Sequence, residues 1–200
     1  MAKRSILQSR LTKLLAISAI LTASTFGAVI SYNVTLNGAN EAPPNASAGT
    51  GTATIVFNTT AHTMQVDISF SGLTGNTTAA HIHCCTAVAS TGTTGVATEL
   101  PLFTGFPTGV TSGTYSHLFD MTVATNFNSA FITAHGGTVG SAELDLANGG
   151  LNAYLNIHSS SVPAGEIRGF LVVTPEPGTL GMAVSAAVAG LALARRKARK

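Results

Sequence analysis

The sequence Ala80-His81-Ile82-His83 places two histidines two residues apart in a segment with the composition of a strand. Side chains at positions i and i+2 of a strand point to the same face, so both imidazoles are expected on one face while Ile82 points into the core. Histidine pairs at this spacing are half-sites for zinc or copper, and they need one or two further ligands.

His158 is the leading candidate for a third ligand, because it ends a predicted strand, 153–158, and lies on the polar face of that strand. A metal site built from His81, His83 and His158 is one interpretation. The alternative is that the three histidines hydrogen-bond only to neighbouring Thr and Asn side chains or to the backbone. The remaining histidines are interpreted as turn, strand and helix-end residues without a functional role: His62, His117 and His135.

The only two cysteines, Cys84 and Cys85, directly follow the histidine pair. Neighbouring Cα atoms are ~3.8 Å apart across a trans peptide, which is closer than the ~4.4–6.8 Å usual in disulfides. Export to an oxidising compartment would nevertheless disfavour two exposed free thiols. Three alternatives remain: a vicinal disulfide, a soft ligand contribution to the histidine site, and buried or intermolecularly paired thiols.

Arg168 is the only Lys or Arg between Val29 and Thr174. Glu166 lies two positions before it on a predicted strand, so the two side chains are expected to face the same side. A structural ion pair is therefore predicted for Arg168 with Glu166, with Asp67, or with Glu41 of the Asn-Glu-Ala-Pro-Pro turn. The alternative is that Arg168 binds an anion or takes part in catalysis.

The elements that must position these residues are predicted to be strands. Thr- and Val-containing runs are bounded by Gly and Asn, and Met64, Val66, Ile68 and Phe70 alternate with polar residues. Strands are predicted at 32–36, 52–57, 64–70, 79–83, 113–123, 153–158 and 166–173. Short helices are predicted at 128–134, capped by Asn128, and at 141–147, capped by Ser141. The predicted fold is mainly β, a Greek-key antiparallel β-sandwich with one or two short helices.

The long connection from Cys85 to Ser112 is the least predictable part of this domain. Phe103 and Phe106 lie in it and are expected to anchor it to the sheet; the alternative is that they form a binding patch.

Charge excludes one class of partner. Between Val29 and Thr174, one basic side chain stands against seven acidic ones, a formal net charge of −6 with histidine neutral. No basic patch remains to contact phosphates, so nucleic acid is not expected as a partner. The sequence also contains no Gly-rich phosphate loop, nucleophile elbow or paired-carboxylate motif that would indicate a particular catalytic reaction.

Residues 1–28 have the pattern of a secretory signal peptide. A basic region with Lys3, Arg4, Arg10 and Lys13 precedes the apolar segment Leu14 to Leu21, and small residues follow it. Cleavage is expected between about Ala28 and Tyr32. The exported domain is then predicted to span residues 29–174.

Residues 175–200 have three parts: Pro175-Glu176-Pro177, an apolar segment from Thr179 to Ala194, and a terminus rich in Arg and Lys. Basic residues stay on the cytoplasmic side of a membrane, so the tail predicts a transmembrane helix that stops an exported chain. Its sixteen apolar residues are fewer than the ~20 of a permanent span, which favours a transient inner-membrane anchor over an ordinary single-pass anchor.

This tail resembles the PEP-CTERM sorting signal of exopolysaccharide-producing Gram-negative bacteria. The resemblance implies that Pro175, Glu176 and Pro177 form the sorting motif, recognised by a membrane protease, the exosortase. It also implies passage through the secretion machinery, an inner-membrane intermediate, and release to the cell surface or the extracellular space.

Four segments of the exported domain resemble the CHRD family: Leu36-Asn37-Gly38-Ala39-Asn40-Glu41-Ala42-Pro43-Pro44, Ala80 to His83, Ala153 to His158, and Pro163-Ala164-Gly165-Glu166-Ile167-Arg168-Gly169. They occur in the family's order across nearly the whole domain. The family has no securely shared activity, so the resemblance implies a fold more than a function.

Two functions therefore remain. The first is a non-enzymatic binding or structural protein of the cell surface or extracellular matrix, with a polysaccharide or a surface protein as partner. The second is a metal-binding domain of redox type that holds copper or zinc at His81, His83 and His158.

Overall fold

A computed structural model of the protein describes residues 29–174. In this part of the chain, eight antiparallel strands form one sheet that is curled into a half-barrel. The strands are β1 (Val29–Asn37), β2 (Thr50–Asn58), β3 (Thr63–Ser71), β4 (Thr77–His83), β5 (Gly113–Asp120), β6 (Tyr154–Ser159), β7 (Ile167–Phe170) and β8 (Val172–Val173). Two short helices, α1 (Ser129–Ala134) and α2 (Val139–Ala147), lie between β5 and β6.

The strand order is β4-β6-β7-β1-β2-β3-β5, and β8 pairs with β1 beside β7. The prediction of a mainly β, antiparallel fold with two short helices is confirmed, but the two-sheet Greek-key sandwich is not observed. Strand β7 pairs with β6 on one side and, through Arg168 and Asn37, with β1 on the other, so the sheet is continuous. The alternation of apolar residues fixes which face of each strand is buried. This alternation is the same in one curled sheet and in two packed sheets, so it could not distinguish the two folds.

The concave side of the sheet holds the core. In β3, the four alternating side chains singled out in the sequence are all buried: Met64, Val66, Ile68 and Phe70. They pair with β2, whose Ala53, Ile55 and Phe57 are buried in the same way. Burial of apolar area on this side stabilises the curled sheet.

The predicted helices are present with one change at a cap. The Asn128 side chain accepts a hydrogen bond from the backbone N–H of Ala130 and caps α1, as predicted. Helix α2 begins earlier than predicted, because the Thr138 side chain accepts from the N–H of Ser141 and is the cap. Ser and Thr are both good N-caps, so sequence alone did not choose between them.

The long connection between β4 and β5 packs on the sheet. Phe103 and Phe106 are buried, which confirms their predicted role as anchors. The Phe103 N–H also donates to the carbonyl of Ala80 in β4 over 3.2 Å, which fixes this loop beside the strand that carries the histidine pair.

Cys84 and Cys85 form a vicinal disulfide across a cis peptide bond. This disulfide is the first of the three alternatives that the sequence left open for these cysteines. Both sulfur atoms are bonded to each other, so neither is present as a thiolate ligand.

None of the helices among residues 29–174 has the length and hydropathy required of a transmembrane span. The predicted signal peptide and the predicted transmembrane segment of the sorting signal both lie outside the described residues.

Candidate metal centre

Strand β4 presents the histidine pair as its alternation predicted. Ala80 and Ile82 are completely buried in the core. His81 and His83 therefore lie on the opposite face, where the β4–β5 connection covers them and leaves both largely buried.

Strand β6 lies beside β4 and brings the third histidine to the same face. Its Leu155 and Ile157 are buried in the core, so its polar face carries Tyr154, Asn156 and His158. In the antiparallel register, His81 lies opposite Asn156, His83 opposite Tyr154, and His158 opposite Ala79.

The structure brings the three histidines of the predicted site together. The ring centroids of His81 and His158 are 5.3 Å apart, and each lies 6.1 Å from the centroid of His83. One ring nitrogen from each residue can be chosen so that all three atoms lie within 4.8 Å of one another. This separation is well inside the ~10 Å beyond which His158 could not share a metal with the pair.

Each imidazole donates one hydrogen bond to a backbone carbonyl. His81 Nε2 donates to Pro101 O over 2.7 Å. His83 Nδ1 and His158 Nδ1 each donate over 2.9 Å, to Thr94 O and Pro163 O respectively. Because a carbonyl oxygen only accepts, these contacts require a proton on the three nitrogens named, and they fix the tautomer of each ring.

The other nitrogen of each ring is buried and has no hydrogen-bond partner among the described residues. These atoms are His81 Nδ1, His83 Nε2 and His158 Nε2. In a neutral imidazole whose proton is held elsewhere, each of these nitrogens carries a free lone pair. A lone pair on a nitrogen that is oriented through its ring partner is what a metal ion requires from histidine.

Burial keeps the three rings in their neutral form. It lowers the pKa of His81 and of His158, and it lowers the pKa of His83 to about 4. The hydrogen bonds to the carbonyl groups oppose this effect without overcoming it. At neutral pH, the three lone pairs are therefore available.

The carbonyl acceptors were not identified from the sequence. Thr94 and Pro101 belong to the β4–β5 connection, and Pro163 belongs to the turn between β6 and β7. Backbone carbonyls have no side-chain signature, so only the packing of these loops could reveal them. The anchoring of Phe103 holds the loop that supplies the first two.

Tyr154 also contacts the histidine cluster, and it was not identified from the sequence as part of the site. Its ring stacks on the imidazole of His83 with centroids 4.7 Å apart and planes 8° apart. The guanidinium carbon of Arg168 lies 4.7 Å from the centroid of the same ring. Tyr154 is therefore packed between His83 on β4 and Arg168 on β7, which restricts the orientation of the His83 ring.

The other described histidines have neighbours away from the cluster. His62 Nδ1 lies 2.6 Å from Glu143 Oε2, and His135 Nδ1 lies 2.9 Å from Asp145 Oδ2. The His117 ring packs against Phe119, with centroids 4.4 Å apart.

Arg168 is buried and lies close to Glu41, one of its three predicted partners, whereas Asp67 accepts hydrogen bonds from Gln65 and Ser116. Its Nε is 3.8 Å from Glu41 Oε2 and donates to Asn40 O, while Nη1 donates to Gly92 O over 3.0 Å. Burial raises the pKa of Glu41 to about 7, and the nearby guanidinium offsets this effect only in part. The cation is thus held mostly by carbonyl oxygens, with Glu41 at longer range.

Glu166 does not pair with Arg168, contrary to the prediction. Its carboxylate is buried and accepts hydrogen bonds from Ser47 Oγ over 2.6 Å, Thr74 N over 2.5 Å and Ser159 Oγ. The residue precedes β7, so the strand alternation used to place it beside Arg168 does not apply. Burial would raise the pKa of Glu166, but these hydrogen bonds outweigh it and lower the pKa to about 2.

In a comparison with protein families, residues 32–171 match the CHRD domain. This range includes all three histidines and lies within the exported domain predicted from the sequence. Searches of curated proteins and of solved structures found no significant match. Since the family match covers most of the 200 residues, the chain belongs to the CHRD domain family.

Proposed function

We propose that this CHRD domain binds a divalent transition metal, zinc or copper, through His81, His83 and His158. The observation that carries the proposal is that each imidazole uses one nitrogen for a backbone carbonyl and leaves its other nitrogen buried, without a partner among residues 29–174. Imidazole nitrogen is a preferred ligand of both metals.

The spacing supports a shared ion after a small adjustment. Metal–nitrogen bonds of ~2.0–2.1 Å in a tetrahedral site place ligand nitrogens about 3.4 Å from one another. One ring nitrogen of each histidine already lies within 4.8 Å of one nitrogen of each of the other two, so small rotations of the rings would complete the contraction.

A purely structural role for the cluster is less consistent with these contacts. Buried polar atoms are nearly always hydrogen-bonded, and leaving one unpaired is unfavourable. Here each of three clustered histidines has one buried nitrogen without a partner in the described part of the chain, and a single cation would satisfy all three.

Three histidine ligands leave at least one coordination position for water or a small ligand, which is the ligand set of an open zinc site rather than a closed structural one. Copper bound by the same residues would add one-electron redox chemistry.

Metal uptake by the purified protein tests the proposal. We expect one zinc or copper ion per chain in the native protein, measured by elemental analysis after exhaustive dialysis. The His81→Ala, His83→Ala double variant should retain none. His117→Ala, which removes a histidine on β5, is the matched control and should bind as the native protein does. Equal uptake by the double variant and the native protein would disprove the site.

A role at the cell surface or in the extracellular matrix is the second candidate, and a groove of about 740 Å³ favours it. Its lining combines the exposed polar side chains of Asn33, Thr35 and Thr91 with the apolar surfaces of Leu151 and Val172. Such a surface suits a neutral polysaccharide better than an acidic one, because the domain is itself negatively charged. The test is binding of neutral oligosaccharides to the purified protein. The Asn33→Asp, Thr35→Asp double variant should lose this binding, and the control variant Ser69→Asp on β3 should keep it.

We also propose that the chain is exported and then sorted by an exosortase. The support is the sequence alone: the signal-peptide pattern in residues 1–28 and the motif, apolar segment and basic terminus of residues 175–200. The destination would be the cell surface or the extracellular space, after an inner-membrane intermediate.

A further inference from the structure

Asn156 lies on strand β6, two residues before His158. It stands between Tyr154 and His158 on the polar face of β6, and the register places it directly opposite His81 on β4. Directly opposed residues of an antiparallel pair have Cβ atoms about 4.5–5.5 Å apart. The residue is only 3 % exposed, so its side chain is buried on the face of β6 that also carries His158.

The side-chain oxygen of Asn156 is buried and has no hydrogen-bond partner among the described residues. The neighbouring donor on the other side, Arg168, lies opposite Asn156 on β7 but donates to Asn40 O and Gly92 O instead. A buried amide oxygen without a donor is unfavourable. The same strand faces hold three imidazole nitrogens that also lack partners among the described residues, so the amide oxygen points to a ligand that carries a hydrogen-bond donor.

The turn after β6 holds this amide in place. Gly165 has φ of +133°, and a Cβ atom at this position would lie only 2.6 Å from Asn156 Oδ1. The amide is thus packed directly against the backbone of Gly165, where a side chain would displace it. This close approach explains why the Pro-Ala-Gly-Glu segment has a glycine at position 165.

From this arrangement, we infer that Asn156 Oδ1 accepts a hydrogen bond from a small protic molecule in the fourth coordination position of the metal. This inference rests on the proposed metal site. Water is the simplest such ligand, and substrates with an O–H or N–H group on the coordinating atom form the class that the site favours. Asn156 is a positioning residue here and not a metal ligand, since amide oxygens suit harder cations than zinc or copper.

The test uses copper-loaded protein and azide, a ligand whose coordinating nitrogen carries no proton. In the native protein, azide must displace the protic ligand and break its hydrogen bond to Asn156. The Asn156→Leu variant lacks that bond, so it should bind azide about fivefold more tightly, the factor expected for one hydrogen bond. Azide binding is measured from the charge-transfer absorption of the copper complex.

Asn156→Asp is the companion variant, because it retains an acceptor oxygen and adds a negative charge. It should bind azide more weakly than the native protein does, and it carries the test if Asn156→Leu fails to fold. Copper itself should still bind to Asn156→Leu, as a separate titration would show, because no metal ligand is removed.

Three results would overturn the inference: equal azide affinity in native and Asn156→Leu proteins, azide binding by Asn156→Asp at or above the native affinity, or loss of copper from a folded Asn156→Leu protein. If the native protein binds copper, these results leave the proposed function intact. If the native protein binds neither copper nor zinc, the proposed metal site itself is wrong. Failure of the metal site can therefore be told apart from failure of the role inferred for Asn156.

Discussion

The imidazole rings of His81 and His158 lie 5.3 Å apart, inclined by 70°, although the two residues belong to different strands. The pairing of β4 with β6 creates this proximity, because it puts the polar faces of both strands on one side of the sheet. The two rings also orient their unpaired nitrogens through separate loops, one through Pro101 and the other through Pro163. The site therefore depends on one strand pairing and two loop contacts.

Replacing His158 with Ala should weaken metal binding by at least ~100-fold, because removal of a ligand should cost at least as much as loss of an outer-shell partner. Competition with a chromophoric chelator measures this change. His135→Ala is the matched control, since His135 contacts Asp145 outside the cluster. Native affinity in the His158→Ala protein would exclude this residue as a ligand.

Metal binding should persist at a lower pH than an ordinary histidine site allows. Protonated imidazole cannot bind a metal, and free histidine is protonated near pH ~6.5. Burial lowers the pKa of His83 to about 4, so uptake should stay constant from pH 8 to about 6 and then fall towards pH 4. A metal-binding titration across this range checks the expectation. Half-maximal loss at or above pH 6.5 would contradict it.

Glu166→Gln should destabilise the domain by about 2–4 kcal/mol at pH 7, because the Glu166 carboxylate accepts several hydrogen bonds. The Gln side chain has an NH₂ group in place of one oxygen, and this group would face donors such as Ser47 Oγ and Thr74 N–H. The pKa of Glu166 is lowered to about 2, so its contribution is complete above pH ~4.5 and is lost as the pH falls towards 2. Denaturant unfolding at several pH values should show the difference shrinking in acid. A constant difference would refute the ionised carboxylate as its source.

Glu41→Gln should have the opposite pH dependence. The pKa of Glu41 is raised to about 7, so the folded protein keeps a proton that the unfolded chain releases near pH ~4.5. Stability contributed by this group is full below pH 4.5 and declines as the pH rises through 7. The variant should therefore gain stability relative to the native protein between pH 5 and pH 8, by the order of 2 kcal/mol. Thermal melts at both pH values measure this, and a relative loss at pH 8 would show that the ion pair with Arg168 dominates.

Glu176→Ala should leave the protein in the inner membrane as a longer form, because the change removes the acidic residue of the sorting motif. The native chain should appear as a shorter domain without its basic terminus. Fractionation followed by mass spectrometry of the C-terminus distinguishes the forms, and Thr174→Ala serves as the control. Recovery of native protein that still ends at Lys200 from the final compartment would contradict the sorting proposal.

Much of the local structure followed from the sequence. The alternation of Met64, Val66, Ile68 and Phe70 fixed a half-buried strand and its buried face, because side chains of a strand alternate between faces. The same rule placed His81 and His83 on one face. The sequence could not decide between one curled sheet and two packed sheets, because alternation within each strand is identical in both.

Ion pairing was only partly predictable. Arg168 lies near Glu41, but Glu166 stands at a bend just before β7, which the strand pattern did not reveal, and its carboxylate accepts from Thr74 instead. Its actual donors are the hydroxyl and backbone groups of Ser47, Thr74 and Ser159, which come from distant parts of the chain. No local feature of the sequence distinguishes a carboxylate that forms an ion pair from one that accepts hydrogen bonds from hydroxyl groups.

The sequence by itself determined which residues could bind a metal and that His81 and His83 share a face, because these properties depend on side-chain chemistry and strand geometry alone. Only the tertiary structure decided that His158 joins them, that three loop carbonyls fix the ring tautomers, and that Asn156 Oδ1 is buried without a partner in the described part of the chain. These features arise from contacts between segments far apart in the chain, where backbone groups with no sequence signature provide half of each interaction.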